Sequence, residues 1–129
     1  MTDYEVIAGA GTLRRDTPGT VTFPHRWTAE GVTVDAAFTG AHLLHLATAG
    51  CVLNDVYREA ARRGMEVGGV RVTATGAFDT ATWESTGITY RVEVDAASTA
   101  QVEALLDAVD AQAEIPKAIR AGAAVTRVP

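Results

Sequence analysis

The chain holds a single cysteine, Cys51, inside the nearly all-apolar run 43–53. A thiolate at such a place is a nucleophile for O–O or S–S bonds; a protonated thiol there is a small core hydrophobe. Both readings stand on the local sequence. An ordinary thiol is mostly protonated at neutral pH, so nucleophilic use of Cys51 needs a source of activation. The helix that the pattern predicts here begins about ten residues earlier, and its N-terminal dipole fades within the first turn. Asp55 follows one turn later on the same face and raises the thiol pKa if ionised and close. Activation therefore falls to a cation delivered by the fold, with Arg15 and Arg26 as candidates.

The other polar groups are read in the same terms. His42 and His45 are three residues apart and can share a helix face; His25 is the third histidine. No acidic residue lies at a supporting offset in that turn and no HExxH pattern is present, so no metal is expected. His42 is nine residues from Cys51 and off its face, which argues against a helix-local Cys/His pair. Arg15 sits in the turn sequence Arg-Arg-Asp-Thr-Pro-Gly, residues 14–19, from which a loop cation can swing over a thiol. Arg26, between His25 and Trp27, can stack on the indole. Arg58, Arg62 and Arg63 read as a solvated face with Glu59 available for pairing. Asn54 and Asp55, the first polar residues after the apolar half of the helix, read as interface residues that need partners if buried.

These groups must be positioned by β-strands followed by a long helix. Residues 4–8, 20–23 and 32–35 have strand character and are separated by Gly- and Pro-containing turns. Residues 41–63 read as a helix, apolar all round in its first half and amphipathic after Asn54, with Gly64 as its stop. Residues 67–77 and 88–95 alternate apolar and polar and read as an antiparallel pair around a polar turn holding Trp83. Ser98 and Gln101 form a capping box for a helix to about residue 113. Pro116 opens a short helix, Gly122 stops it, and residues 123–128 read as a terminal strand. Strands grouped apart from helices make the class α+β, with residues 1–129 as one domain. A helix this long and apolar is hard to cover with 129 residues, so a second protomer is expected to supply surface.

The bulk numbers exclude several classes. Net charge is −5, and the chain has a single lysine, Lys117, with no basic cluster; nucleic acid is not an expected partner. One cysteine excludes an internal disulfide framework and a multi-cysteine zinc site, and suits a reducing cytoplasm. The start, MTDYEVIAGAG, has no signal-peptide pattern, and no run approaches 18 apolar residues, so no membrane span is expected. The Ala/Val/Arg-rich, Lys-poor composition suggests a high-GC bacterial source.

The run Leu-Leu-X-Leu-Ala-X-Ala-Gly-Cys, residues 43–51, resembles the central helix of the OsmC/Ohr family of hydroperoxide-resistance proteins. Gly-Met-Glu-Val at 64–67, Ile-Pro at 115–116 and Ile-Arg-Ala-Gly at 119–122 extend the resemblance over most of the chain. The resemblance implies an intertwined homodimer, antiparallel sheets around two long central helices, with an active site at the dimer interface. It also implies thiol-dependent reduction of organic hydroperoxides, with Cys51 as nucleophile and Arg15, or else Arg14, as the family's early-turn arginine. The second, resolving cysteine of the family falls on Ile115, and the glutamate near the start of its central helix falls on Ala41. His42 is the polar residue nearest that gap; with Asp55 and Arg26 it completes the expected substrate-binding set. Without a second cysteine the cycle passes through a sulfenic acid and needs an external thiol or dithiol. No cofactor is expected. The alternative is a non-catalytic dimer of the same fold that binds a hydrophobic small molecule in an interface cleft lined by Leu44, Val52, Trp27 or Trp83.

Overall fold

A computed structural model describes residues 3–129. Met1 and Thr2, the first residues of the segment read above for a signal peptide, lie outside the described residues. The elements run β1 (Val6–Gly11), β2 (Val21–Phe23), β3 (Val32–Asp35), α1 (Gly40–Arg62), β4 (Gly69–Phe78), β5 (Ser85–Asp95), α2 (Thr99–Gln112) and α3 (Glu114–Ala121). The five strands form one antiparallel sheet in the order β2-β3-β1-β4-β5, an α+β arrangement. Among the described residues no helix is long and apolar enough to cross a membrane.

Helix boundaries follow their caps. The Thr39 hydroxyl accepts from the His42 amide at the start of α1, and Gly64, with φ +66°, takes the left-handed conformation that follows the helix. Ser98 accepts from the Gln101 amide at the start of α2, as its spacing predicts. The third helix starts at Glu114, two residues before Pro116; a first-turn proline lacks only an N–H that the helix does not use.

One face of α1 lies on the sheet. Ala49, Val52, Leu53, Val56 and Ala60 are buried against Val6, Ala8 and Ala10 of β1 and Val70, Val72 and Ala74 of β4, with Leu105 and Val109 of α2 closing the core. β4 and β5 form the antiparallel pair expected from sequence, with Val70 opposite Val94 and Val72 opposite Val92. At the far end of α1, Glu59 is clamped by Arg62 at 2.7 Å and Arg63 at 2.8 Å. These two guanidiniums hold its carboxyl down to about 2.

Three expectations change. The first strand runs over Val6–Gly11 rather than 4–8, because Tyr4 takes a positive φ of 45° and lies in a turn. The terminal strand over 123–128 does not form: residues 122–129 are exposed and have no neighbouring strand to complete a ladder. The first half of α1 is apolar but not enclosed, since the sheet and α2 cover one side only. Leu43 is 39% exposed, Ala47 is exposed, and Gly50 and Asn54 are half-buried along the same stripe.

Candidate functional site

Cys51 projects from the flank of α1 that faces α3, and it is half-buried. Its Sγ donates to Oε2 of Glu114 at 3.3 Å, and the Ile115 amide is hydrogen-bonded to the same sulfur. Asp55 lies one turn further along α1, buried, with Oδ1 3.0 Å from the Arg58 guanidinium. Arg58 also reaches Oε1 of Glu114 at 3.4 Å. Positions 51, 55 and 58 follow the i, i+4, i+7 spacing of one helix face, so α1 supplies three of the four groups and the first turn of α3 the fourth.

The electrostatics favour the protonated thiol. Burial first pushes the Cys51 thiol above its ordinary value; the Ile115 amide opposes this, while the Glu114 hydrogen bond and the charges of Asp55 and Glu114 add to it. Glu114 is held below the usual carboxylate range, first by its own backbone amide, then by the thiol and by Arg58. Burial raises Asp55, the Glu114 charge adds to the rise, and Arg58 opposes it. An ionised carboxylate has no proton to give, so in this contact the thiol donates and the carboxylate accepts. At rest the site holds a protonated thiol against a carboxylate. Cys51, Asp55 and Glu114 also offer one ligand atom each, mutually within 4.8 Å, as a set able to hold a metal ion. The Arg58 guanidinium already provides a positive charge beside both carboxylates.

The expected residues separate into two groups. Asp55 joins Cys51. Arg15, Arg26 and His42 do not lie beside it within the chain. Arg15 pairs with Asp35 at 3.5 Å. Val32 and Val34 of β3 point towards α1 and line a cavity with it, so Asp35, one residue out of phase, lies on the opposite face of the sheet and holds Arg15 there. Arg26 lies over the Trp27 ring, 5.5 Å from its centre, the stacking foreseen from sequence. His42 bonds Thr39 at 2.6 Å at the start of α1 and packs edge-on to Tyr4. The three histidines do not converge: His45 is buried and bonded to the Tyr4 carbonyl, and His25 bonds Asn54 and Thr28. Asn54 thus has its partner inside the chain. The cleft expected between Leu44, Val52, Trp27 and Trp83 is not assembled within the chain, since Val52 is fully buried in the core and Trp83 stands 69% exposed in the turn between β4 and β5.

Sequence reasoning missed Glu114 and misassigned Arg58. A signal for Glu114 was present: it precedes Ile115, the position that the resemblance places beside Cys51. Arg58 was grouped with Arg62 and Arg63 around Glu59, whereas only the latter two reach that carboxylate. Comparison with known families gives a match to OsmC, described as OsmC-like protein, over residues 33–127. No curated protein matches the chain.

Proposed function

Because the chain belongs to the OsmC-like protein family, a family associated with peroxide-related stress defence, we propose that it reduces organic hydroperoxides with Cys51 as the nucleophile. The observation that carries this reading is the placement of Cys51: the chain's one thiol, half-exposed, beside the residue that stands at the family's second-cysteine position. The Cys51 thiolate attacks one oxygen of ROOH, the O–O bond breaks, and the leaving alkoxide is protonated to ROH. Cys51 is left as a sulfenic acid. Ile115 offers no thiol, so an external thiol attacks the sulfenic sulfur and water leaves. A second thiol then breaks the mixed disulfide and restores Cys51. Overall, ROOH and two thiols give ROH, water and one disulfide.

Among the described residues Arg58 pairs with both carboxylates that flank the thiol, Asp55 and Glu114. Arg15 serves only if it leaves Asp35, or if it is delivered by a second copy. His42, Asp55 and Arg26 remain in the proposed substrate-binding set, Asp55 from beside the thiol and the other two from a second copy. The expected assay result is catalytic consumption of cumene hydroperoxide with dithiothreitol, faster than that of hydrogen peroxide because Cys51 lies beside apolar Ile115. Stoichiometric or absent consumption of both peroxides would defeat the proposal.

The working unit we propose is an intertwined homodimer in the cytoplasm. Supporting it are the uncovered apolar stripe of α1 at Leu43 and Ala47, Phe38 at 91% exposure just before that helix, and the extended segment 122–129 with Val125 97% exposed. A second copy can cover the stripe and give the segment a strand to pair with. Sedimentation equilibrium should return twice the chain mass of 13.5 kDa. A monomer at micromolar concentration would remove the interface from the account.

A further inference from the structure

Cys51 has a neighbour that the peroxide reaction leaves unused, the backbone nitrogen of Ile115. We propose that Cys51, once oxidised, condenses with the Ile115 amide to a sulfenamide, a covalent S–N bond that ties α1 to α3. This inference rests on the proposed oxidation of Cys51 by an organic hydroperoxide, and concerns the fate of the sulfur when no thiol is at hand.

Contact comes first. The Ile115 amide is hydrogen-bonded to the Cys51 sulfur, and the carboxylate of the preceding residue, Glu114, holds the same sulfur at 3.3 Å. The first turn of α3 is thus seated on the thiol through both main chain and side chain. That nitrogen is also free of the helix. The ladder of α3 begins with the Lys117 amide, which donates to the Ala113 carbonyl at 3.4 Å, so the Ile115 amide is among the helix-start donors that have no carbonyl partner within the helix. The amide nearest to Cys51 along the chain, that of Val52, lies in the middle of α1 and is committed to its ladder. Finally, Cys51 is the only cysteine, so a sulfenic acid finds no second thiol in the chain. Condensation with a backbone nitrogen is then the intrachain route open to it.

The hydroperoxide is the oxidant: it leaves Cys51 as a sulfenic acid and departs as ROH. The Ile115 nitrogen attacks the sulfenic sulfur, the S–O bond breaks, and the amide proton leaves with the hydroxyl as water. The sulfur keeps its oxidation level, so no further oxidant is consumed. An incoming thiol attacks the sulfur, the S–N bond breaks, and the nitrogen recovers its proton. The resulting mixed disulfide is opened by a second thiol, which restores Cys51. The overall stoichiometry of one hydroperoxide and two thiols is unchanged. What changes is the outcome in excess peroxide, because the sulfenic acid that would be oxidised irreversibly to sulfinic acid has been consumed.

The test is intact-mass spectrometry and peptide mapping of the protein oxidised with cumene hydroperoxide in the absence of thiol. The wild type should settle about 2 Da below its reduced mass, whereas a persistent sulfenic acid lies about 16 Da above it. With one cysteine per chain that loss is not an internal disulfide, and a disulfide between chains would double the mass. The map should join the segment holding Cys51 to the segment holding Ile115, and dithiothreitol should release them. Ile115→Pro lacks the N–H, at a first-turn position where proline is tolerated, and should pass to sulfinic acid several-fold faster than the wild type. Ile115→Cys should close a disulfide between positions 51 and 115, a check of reach that does not depend on the proline variant folding. A wild type that stops at sulfenic acid or runs directly to sulfinic acid overturns the proposal. So does a cross-link to any residue other than Ile115, or an Ile115→Cys protein that closes no disulfide. Those outcomes leave the peroxide reaction standing, while a wild type whose Cys51 does not react with hydroperoxide removes both.

Discussion

Cys51→Ser protein should consume organic hydroperoxide no faster than buffer, a loss of roughly 100-fold or more relative to the wild type in the same thiol-containing assay. The reason is chemical rather than structural. Serine keeps the size of the side chain and can still donate to Glu114, so the local packing and the hydrogen bond at 3.3 Å have a replacement. What serine lacks is a sulfur that can pass through a sulfenic acid and back. No other thiol in the chain can substitute, because Cys51 is the only cysteine. The variant should melt within a few degrees of the wild type. Residual catalysis in a folded Cys51→Ser protein would assign the activity to some other group.

The second large effect is in pH. Since burial, the Glu114 bond and the two carboxylate charges hold the Cys51 thiol above its ordinary value, the reactive thiolate is a small minority at neutral pH. Its population, and with it the rate of Cys51 oxidation, should climb about tenfold per pH unit between pH 6 and 8. The rise should not level off until the pH passes the ordinary thiol range. Glu114→Gln removes both an acceptor and a negative charge and should move the whole curve to lower pH. A lower thiol pKa also means a weaker nucleophile, so the net gain at pH 7 should be about threefold for each unit that the pKa falls. Arg58→Ala removes the cation paired with Asp55 and Glu114, leaves their charges unopposed beside the thiol, and should move the curve the other way. Iodoacetamide alkylation of Cys51 followed by intact mass gives the profile without any peroxide. A profile that is flat above pH 6, or unmoved by Glu114→Gln, would contradict the hydrogen-bonded resting thiol.

Much of this arrangement was legible in the sequence, and the rest was hidden for identifiable reasons. The end of α1 at Gly64 and the start of α2 at Ser98 with Gln101 were legible because caps act locally, whereas the Thr39 cap at the start of α1 was not read. The β4–β5 pair followed from alternation over residues 67–77 and 88–95, although β4 runs over Gly69–Phe78 and β5 starts three residues earlier, at Ser85. The nearness of Asp55 to Cys51 followed from one helical turn. Glu114 was legible only through its neighbour Ile115, because it is 63 residues from Cys51 and arrives through the docking of α3 on α1. Arg58 was misjudged because neighbours along a helix diverge around its axis: Arg62 and Arg63 turn to Glu59, while Arg58 turns to Asp55 and Glu114. Arg15 depended on the phase of a four-residue strand, where one residue decides which face Asp35 occupies. The apolar first half of α1 revealed its composition but not which side the sheet would leave open, and that open side holds both Cys51 and Gly50 at its margins.

The most direct test of Cys51 as a peroxide-oxidised nucleophile is intact-mass spectrometry of the reduced protein treated with cumene hydroperoxide in the presence of dimedone. The account predicts one dimedone adduct per chain, mapped to Cys51, forming faster with cumene hydroperoxide than with hydrogen peroxide and absent from Cys51→Ser. No adduct, or only slow conversion to sulfinic and sulfonic acids, would contradict it and leave Cys51 as a structural thiol.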